Sequence, residues 1–243
     1  MSSPRRLELL GGRLLLDASL FPFLGPPDAP HLIAVLSDYT CEHCRAMHPI
    51  LESALRQTGG QLAALILTAP LERACNPFIQ ITDPRYANAC AYARLALALW
   101  VARPEHFATF HRFLYEGVRP PPLNVARRRA AELLGIVPSD DDDAALDAAT
   151  GDPLVQQKLA DALTIYRSTG SIGTTAGAVG ALPRLILPSG ILHGGVSSSD
   201  KFMALLRGQL LGASGAAPAV SRPPPSPPAA ATNVFSSRPI GDA

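Results

Sequence analysis

Two cysteines spaced three residues apart stand where a strand-like run of the chain passes into a helix-like segment. Cys41 and Cys44 follow the apolar run His31 to Ser37 and open a segment of helical periodicity that continues to about Gln57. Backbone N–H groups and the helix dipole at a helix N-terminus stabilise a thiolate, the form of cysteine that attacks disulfides. The sequence therefore predicts a CxxC pair on the first turn of a helix that follows a strand.

This arrangement gives the two thiols different roles. Cysteines on one helical turn can close a small disulfide ring with little backbone movement. We expect Cys41 to be the better-exposed nucleophile and Cys44 to be the resolving thiol. A partly protonated His43 would lower the pKa of Cys41, whereas an ionised Glu42 would raise it. We therefore predict that Cys41, Cys44 and His43 carry the chemistry, at a redox potential that the sequence leaves open.

Two other interpretations of the CxxC pair remain open. A structural zinc site normally adds a second close pair of ligands, which the spacing of Cys75 and Cys90 does not supply, although His43 and His48 are available as ligands. The second interpretation is a redox-inactive binding module in which the CxxC pair forms a structural disulfide. We expect no metal and no cofactor.

The residues around the pair resemble a known family. The run Leu36–Cys44 is similar to the active-site strand and helix of thioredoxin-fold disulfide oxidoreductases of the DsbA and DsbC type, and Pro49 matches a proline within that helix. The stretch Gly180–Leu187 resembles the strand that carries the family's cis-proline opposite the CxxC pair. The resemblance implies that Leu182 and Pro183 contact an extended substrate peptide, since a proline leaves adjacent backbone groups free to pair.

Cys75 and Cys90 extend the resemblance to a narrower group. With their neighbours they resemble thioredoxin-like domains found alone or fused to bacterial vitamin K epoxide reductase homologues, over roughly residues 5 to 212. The resemblance implies a second, structural disulfide between them, and closing a loop of about 15 residues would stabilise the fold by about 3 kcal/mol if chain entropy dominates. The alternative is a relay pair that exchanges electrons with the CxxC thiols, because sequence gives no distance between sulfur atoms.

Asp38, three residues before Cys41, has two interpretations. In related thioredoxin folds an acid near the buried thiol helps to move its proton, so Asp38 is a candidate acid/base residue. A carboxylate at this position also fits a cap for the active-site turn or helix. His111 shares a helix with large apolar residues and is predicted to be a half-buried structural residue.

Periodicity predicts an α/β architecture around this motif. A buried strand, Leu62 to Leu67, completes a βαβ unit, and a hairpin turning at Gly11 and Gly12 precedes it. The segment from Pro22 to Pro30 is interpreted as a turn-rich link. Two strands, Pro183 to Leu187 and Ile191 to Gly194, follow later in the chain.

The predicted domain is a thioredoxin fold that spans residues 1–212 and carries a helical insertion at about 87–169. Ser199 is predicted to cap the last helix, which runs to Leu211. Residues 213–243 are rich in proline, alanine and serine and are predicted to form a disordered tail.

Composition bears on partners and compartment. Of the 243 residues 47% are hydrophobic and 17% charged, with a net charge of +1, so we expect a substantial core and no nucleic-acid partner. Protein thiols and disulfides are the expected partners, and the family resemblance leaves room for a membrane redox partner. The resemblance implies a periplasmic or other extracytoplasmic location, but residues 1–24 lack the pattern of a signal peptide, so the location is left open between a trimmed extracytoplasmic form and a cytosolic reductant. No run of about 18 uncharged apolar residues predicts a membrane span.

Overall fold

The computed structural model describes residues 5–136, 142–172 and 181–211 of the chain. The strands are β1 Arg6–Leu9, β2 Leu14–Asp17, β3 Phe23–Leu24, β4 His31–Ser37, β5 Leu62–Thr68, β6 Arg184–Ile186 and β7 Ile191–His193. The α-helices are α1 Glu42–Gln57, α2 Ala89–Ala102, α3 Pro104–Tyr115, α4 Leu123–Leu134, α5 Asp142–Gly151, α6 Pro153–Ser168 and α7 Ser199–Leu206. The predicted tail and Gly180 lie outside the described residues.

The centre of the structure is a five-stranded sheet in the order β3-β5-β4-β6-β7. β4 and β5 run parallel, with His31 opposite Leu62 and Ser37 opposite Thr68, while the other neighbouring strands pair antiparallel. Helix α1 makes the crossover between β4 and β5, so the predicted βαβ unit is confirmed. β5 is buried along its whole length and β4 from its second residue onward, which explains their continuous apolar sequences.

The N-terminal hairpin is confirmed, but its turn is longer than the sequence predicts. β1 and β2 pair with Arg6 opposite Asp17, and three successive turn residues, Leu10, Gly11 and Gly12, have positive φ angles. The Leu10 N–H donates to the Leu187 carbonyl oxygen at 3.2 Å, so the turn is shaped by its contact with the chain after β6. Local residue preferences could not predict this contact, because Leu10 and Leu187 are far apart in sequence.

Two further elements differ from the sequence prediction. The segment interpreted as a link contains the two-residue strand β3, which pairs antiparallel with β5 and closes one edge of the sheet. Ser198, rather than Ser199, caps α7, because its side chain accepts a hydrogen bond from the Lys201 N–H at 3.3 Å. α7 ends at Leu206, and a π-helical turn continues to Leu211.

Five helices, α2 to α6, lie between β5 and β6, where the sequence predicts a helical insertion. α2 packs against α3, α4 and α6 and buries nine of its fourteen residues, because its sequence is apolar on almost every face. None of the helices within the described residues is both long and apolar enough to cross a lipid bilayer. The limits of the insertion and of the whole domain stay predictions.

Arg184 on β6 fastens this helical segment to the sheet. Its side chain is completely buried and donates hydrogen bonds of 2.7 Å to the Tyr166 carbonyl oxygen and to Thr169 Oγ1. The guanidinium carbon lies 4.9 Å from the centre of the Tyr166 ring. Burial lowers the pKa of Arg184 to about 10, so the group stays charged at neutral pH and complements the C-terminal end of α6.

A disulfide joins the loop after β5 to the start of α2. Cys75 and Cys90 are bonded, with 5.9 Å between their Cα atoms, as the family resemblance implies. The bridge closes a loop with a sequence separation of 15 residues. It therefore fixes the long segment that leads from the sheet into the helices.

We predict that Cys75→Ser combined with Cys90→Ser lowers the free energy of unfolding by about 3 kcal/mol, because the unfolded chain regains the freedom that the closed loop removes. Urea unfolding followed by circular dichroism measures the change. Wild-type protein unfolded in a thiol reductant is the matched control, and it should unfold at the same midpoint as the double variant. An unchanged midpoint in the variant would show that the bridge contributes no stability.

Candidate active site

The two CxxC thiols lie at the N-terminus of α1, directly after the turn that follows β4. Cys41 is the N-cap residue, and its sulfur accepts a hydrogen bond from the Cys44 N–H at 3.4 Å. The Cys41 N–H donates to the Asp38 carbonyl oxygen at 3.2 Å, which closes the turn. Both cysteines are free thiols, so the structure holds the pair as a dithiol. The predicted position of the pair on a first helical turn is confirmed.

The exposure of the two thiols differs from the sequence prediction. Cys41 was expected to be the better exposed, but Cys41 is 2% and Cys44 3% exposed. The Leu182 carbonyl oxygen, in the segment before β6, lies 4.0 Å from Cys41 Sγ and covers it. This contact joins residues that are far apart in sequence, so the spacing of the cysteines could not predict it. The nucleophile is therefore covered in this structure.

The two sulfur atoms have different surroundings, which give the two thiols different pKa values. The pKa of Cys41 is lowered to about 7, chiefly by a hydrogen bond from the Cys44 thiol and further by the backbone N–H groups of Cys44 and His43, against the opposing effect of burial. Burial raises the pKa of Cys44 well above the ordinary thiol value, and the neighbouring Cys41 sulfur raises it further. Cys41 is therefore the thiol that ionises near neutral pH, and Cys44 holds its proton.

His43 acts on Cys41 through its backbone. The sequence predicts a charged imidazole that lowers the pKa of Cys41, whereas the contribution found comes from the His43 N–H group. The side chain is exposed and lines a groove of about 510 Å³ between α1 and the loop that follows β7. Glu42, expected to oppose the thiolate, has its carboxylate 3.8 Å from the Arg85 guanidinium, which offsets its charge.

Asp38 is buried, and both of its carboxylate oxygens are occupied. Oδ1 accepts hydrogen bonds from the Thr40 N–H at 2.6 Å and from Thr40 Oγ1 at 2.7 Å, while Oδ2 accepts from the Leu71 N–H at 2.6 Å. Burial is the main cause of its raised pKa. These contacts agree with the interpretation of Asp38 as a cap that fixes the active-site turn to the chain after β5. Its acid/base role stays a prediction.

Leu182 and Pro183 lie beside the thiols, as the resemblance implies. The peptide bond between them is cis, and the Leu182 carbonyl oxygen faces Cys41 at the distance given above. Gly195 packs closely on this segment: a Cβ added to it would stand 2.9 Å from Pro183 Cγ and 3.2 Å from Met47 Sδ. The loop after β7, Pro183 and α1 are thereby held in mutual contact.

A buried aromatic and histidine cluster behind the thiols was missed by sequence reasoning. His111 is fully buried rather than half-buried, and its Nδ1 lies 2.9 Å from the Tyr39 hydroxyl. The His48 ring packs on His111 and Tyr115, with centroids 5.1 and 4.6 Å away. The spacing of Cys44 and His48, four residues apart on one helix, was the available signal.

Arg45 attaches this cluster to the active-site turn. Its buried guanidinium donates to the Tyr39 carbonyl oxygen at 2.7 Å and to the Leu114 carbonyl oxygen at 3.0 Å. One side chain of α1 thus holds both the turn that carries the thiols and the end of α3. Within the described ranges, no group of three or more histidine, cysteine, aspartate or glutamate side chains is arranged to hold a metal ion.

Comparison with known proteins identifies the fold. No family model matches the chain, and no curated protein is found to match it. A periplasmic thioredoxin-like protein from Salmonella enterica serovar Typhimurium matches with a TM-score of 0.55 and 20% identity, over 79% of this chain and 91% of that one. The thiol-disulfide exchange protein alpha-DsbA2 from Wolbachia pipientis matches with a TM-score of 0.56 and 18% identity, over 77% and 86% of the two chains.

Oxidised BdbD from Bacillus subtilis is also similar, with a TM-score of 0.54 and 13% identity over 84% of this chain and 100% of that chain. At these identities the likeness concerns the fold. The chain has a thioredoxin-like α/β fold, so the fold class predicted from the sequence is confirmed.

We predict that Cys44→Ala raises the pKa of Cys41 above its value of about 7, because it removes the thiol donor that contributes most to the lowered value. The ultraviolet absorbance of the thiolate as a function of pH measures this pKa without requiring access to the sulfur. Cys44→Ser is the matched control, since its hydroxyl keeps a donor, and it should raise the pKa less than Cys44→Ala. Equal pKa values in wild type and Cys44→Ala would contradict this assignment.

Proposed function

We propose that this protein is an enzyme, a thiol-disulfide oxidoreductase that exchanges disulfides with protein substrates through Cys41 and Cys44. The observation that carries the proposal is the placement of two free thiols at one helix N-terminus, with the Cys44 N–H on the Cys41 sulfur and the Leu182 carbonyl oxygen beside it. Cys41, with a pKa lowered to about 7, is about half ionised at neutral pH, while Cys44 stays protonated. A nucleophile and a resolving thiol within one helical turn are the two groups that this reaction needs.

The reaction has two exchange steps. In the reducing direction the Cys41 thiolate attacks a substrate disulfide, one substrate sulfur leaves as a thiolate that takes up a proton, and a mixed disulfide forms. Cys44 then loses its proton and attacks Cys41 Sγ, so the Cys41–Cys44 bond forms and the second substrate sulfur leaves. The enzyme dithiol loses two electrons to the substrate disulfide, and the oxidising direction is the reverse.

Leu182 and Pro183 are the proposed substrate contacts. Because the Leu182 carbonyl oxygen lies 4.0 Å from Cys41 Sγ, an extended peptide that pairs with this segment would bring its own sulfur to the nucleophile. The groove along α1 beside His43 extends the same surface. We therefore assign protein thiols and disulfides as the reaction partners.

A redox-inactive binding module is the second candidate function. The 2% exposure of Cys41 favours it, since a nucleophile must be reached before it can react. The lowered pKa of Cys41 favours the enzyme, because a structural thiol buried in apolar surroundings has a raised pKa instead. The two candidates differ in whether folded protein forms a mixed disulfide.

Location and further partners are part of the proposal. One similar structure is described as a periplasmic protein, and the bonded Cys75–Cys90 pair suits an oxidising compartment, so we propose an extracytoplasmic location. A membrane redox partner remains a prediction from the family resemblance, and an electron relay through Cys75 and Cys90 remains the alternative to their structural role.

Insulin reduction in the presence of a thiol reductant tests the function. Cys41→Ser should abolish the activity because it removes the nucleophile, and Cys44→Ser should accumulate mixed disulfides because resolution fails. Non-reducing electrophoresis followed by mass spectrometry detects the trapped species. The Cys75→Ser, Cys90→Ser variant should keep its insulin-reducing activity. Activity at the wild-type level in both CxxC variants would refute the proposed enzyme.

The substrate-contact assignment predicts that Gly195→Ala reduces kcat/KM for a peptide disulfide about tenfold to a hundredfold, because the new Cβ displaces Pro183 or Met47. The positive φ of +75° at Gly195 adds backbone strain. Gly190→Ala is the matched control, since a Cβ there meets no described atom within 4 Å. Equal effects of the two variants would argue against substrate contact at Pro183.

A further inference from the structure

A small, partly open pocket lies beside the resolving thiol. It has a volume of about 10 Å³, and its walls include Cys44 and His48 from α1, Ser37 from β4 and Tyr115 from α3. That volume matches a single water molecule, which is stable in a buried site when two to four polar partners surround it. Most of the wall surface is apolar, contributed by side chains such as Leu51 and Ile66, and the hydroxyl, thiol and imidazole groups of the four residues above are its polar partners.

His48 supplies a buried acceptor that lacks a partner. Its side chain is 8% exposed, and its Nδ1 atom makes no hydrogen bond to any of the described residues. A buried polar atom without a partner is destabilising by about 1–3 kcal/mol, and such atoms are commonly satisfied by an internal water. His48 follows Cys44 by four residues on α1, so the two side chains project from the same face of the helix.

The same ring also reaches the protein surface. His48 lines a second, open groove of about 450 Å³ together with Arg45, Glu52 and Arg112. The imidazole therefore stands between the pocket beside Cys44 and a wider groove that opens to solvent. An imidazole has two ring nitrogens and can accept a proton at one while it releases a proton from the other.

Other groups near Cys44 are less suited to move its proton. The Tyr115 hydroxyl, which also lies between the two spaces, donates to the Asp38 carbonyl oxygen at 3.4 Å. His111 is completely enclosed, and its Nδ1 is paired with the Tyr39 hydroxyl. Both carboxylate oxygens of Asp38 are engaged by Thr40 and Leu71.

We infer that His48, acting through one water molecule in this pocket, carries the proton of Cys44 to solvent when Cys44 resolves the mixed disulfide. The inference rests on the proposed function and assigns to His48 the proton transfer for which Asp38 was the sequence candidate. His48 is a proton-relay residue: it acts on the sulfur through the water.

The proton and electron balance of the step is as follows. The Cys44 thiol gives its proton to the water, the water gives a proton to Nδ1 of His48, and Nε2 releases one to the outer groove. The Cys44 thiolate attacks Cys41 Sγ, the Cys41–Cys44 bond forms, and the bond from Cys41 to the substrate sulfur breaks. The departing thiolate takes up a proton from solvent. His48 is neutral before and after the step.

Burial keeps His48 in the accepting state. The pKa of His48 is lowered to about 4, chiefly by burial, with Glu52 acting in the opposite direction and Arg112 and Arg45 adding to the effect of burial. Cys44, His111 and Tyr115 are the other titratable groups packed on this ring. All three are neutral at pH 7, because burial raises the pKa of Cys44 and Tyr115 and lowers that of His111. The neutral imidazole therefore carries a proton on only one of its two ring nitrogens at physiological pH, and the other nitrogen can accept one.

Stopped-flow reaction of the reduced full-length protein with dithiobis(nitrobenzoate) separates the two steps. The first thionitrobenzoate leaves when Cys41 attacks, and the second leaves when Cys44 resolves the mixed disulfide. His48→Gln should slow the second phase by about a hundredfold and leave the first unchanged, because a positioned proton acceptor contributes about 10²–10⁴-fold. His106→Gln, at a histidine of α3 that lines neither space, is the matched control and should change neither phase.

Chemical rescue distinguishes proton transfer from a structural role. In His48→Ala, added imidazole should restore the rate of the second phase in proportion to its concentration, since the outer groove leads to the vacated position. Folded His48 variants whose second phase runs at the wild-type rate would overturn the inference. The inference would also be overturned if both phases slowed together in the His48 variants and imidazole did not rescue them. A slower second phase in Asp38→Asn, with a normal second phase in the His48 variants, would overturn it as well.

The wild-type protein provides a test that does not depend on folding of a variant. A high-resolution crystal structure of the reduced protein should contain an ordered water within hydrogen-bond distance of His48 Nδ1 and Cys44 Sγ, and a dry pocket would overturn the inference. Failure of the proposed function is separately recognisable, because Cys41→Ser would then keep insulin-reducing activity. An inactive Cys41→Ser with normal resolution in His48→Gln would overturn the relay alone.

Discussion

The hydrogen bonding of Cys41 at the N-terminus of α1 is the interaction on which the site depends. The Cys41 sulfur takes the place of a capping side chain and receives both the Cys44 N–H and the Cys44 thiol. The same contacts that complete the helix start also stabilise negative charge on sulfur. The hydrogen-bond donors that stabilise the start of the helix are therefore also the donors that make the Cys41 thiol reactive.

The surroundings of the turn keep these donors in place. Asp38 ties the turn to the chain after β5, and Arg45 ties it to the end of α3. Each of these residues is buried and makes several hydrogen bonds, so loss of either would leave unpaired polar groups inside the protein. The helices between β5 and β6 thus contribute directly to the geometry at the thiols, through α3.

Different local contacts give the site its asymmetry. Both cysteines are covered, but burial is the main influence on the pKa of Cys44, whereas the donors at the helix start are the main influence on the pKa of Cys41. The contact of Leu182 with Cys41 covers the nucleophile, and the close packing of Gly195 on Pro183 supports that cover. Exchange at such a site couples the approach of a substrate to movement of the covering chain. We infer that the pocket beside His48 couples it to movement of a proton.

Local patterns determined much of the architecture. The apolar runs of β4 and β5 and the helical period of α1 depend on neighbours within a few residues, so they can be predicted from the sequence. The CxxC spacing likewise determined that two thiols share a helical turn. The short strand β3 was missed because its pairing with β5 is a contact between distant residues.

Tertiary structure alone decided how the site works. Exposure of Cys41, the occupied oxygens of Asp38 and the contact of His48 with His111 arise where elements far apart in sequence meet. The prediction that Cys41 is the more exposed thiol was wrong for this reason. By itself the sequence determined which residues carry sulfur, imidazole and carboxylate, and which helix and strand hold them. Packing decided which of these groups are covered, paired or enclosed, because desolvation and hydrogen bonding depend on every neighbour in space.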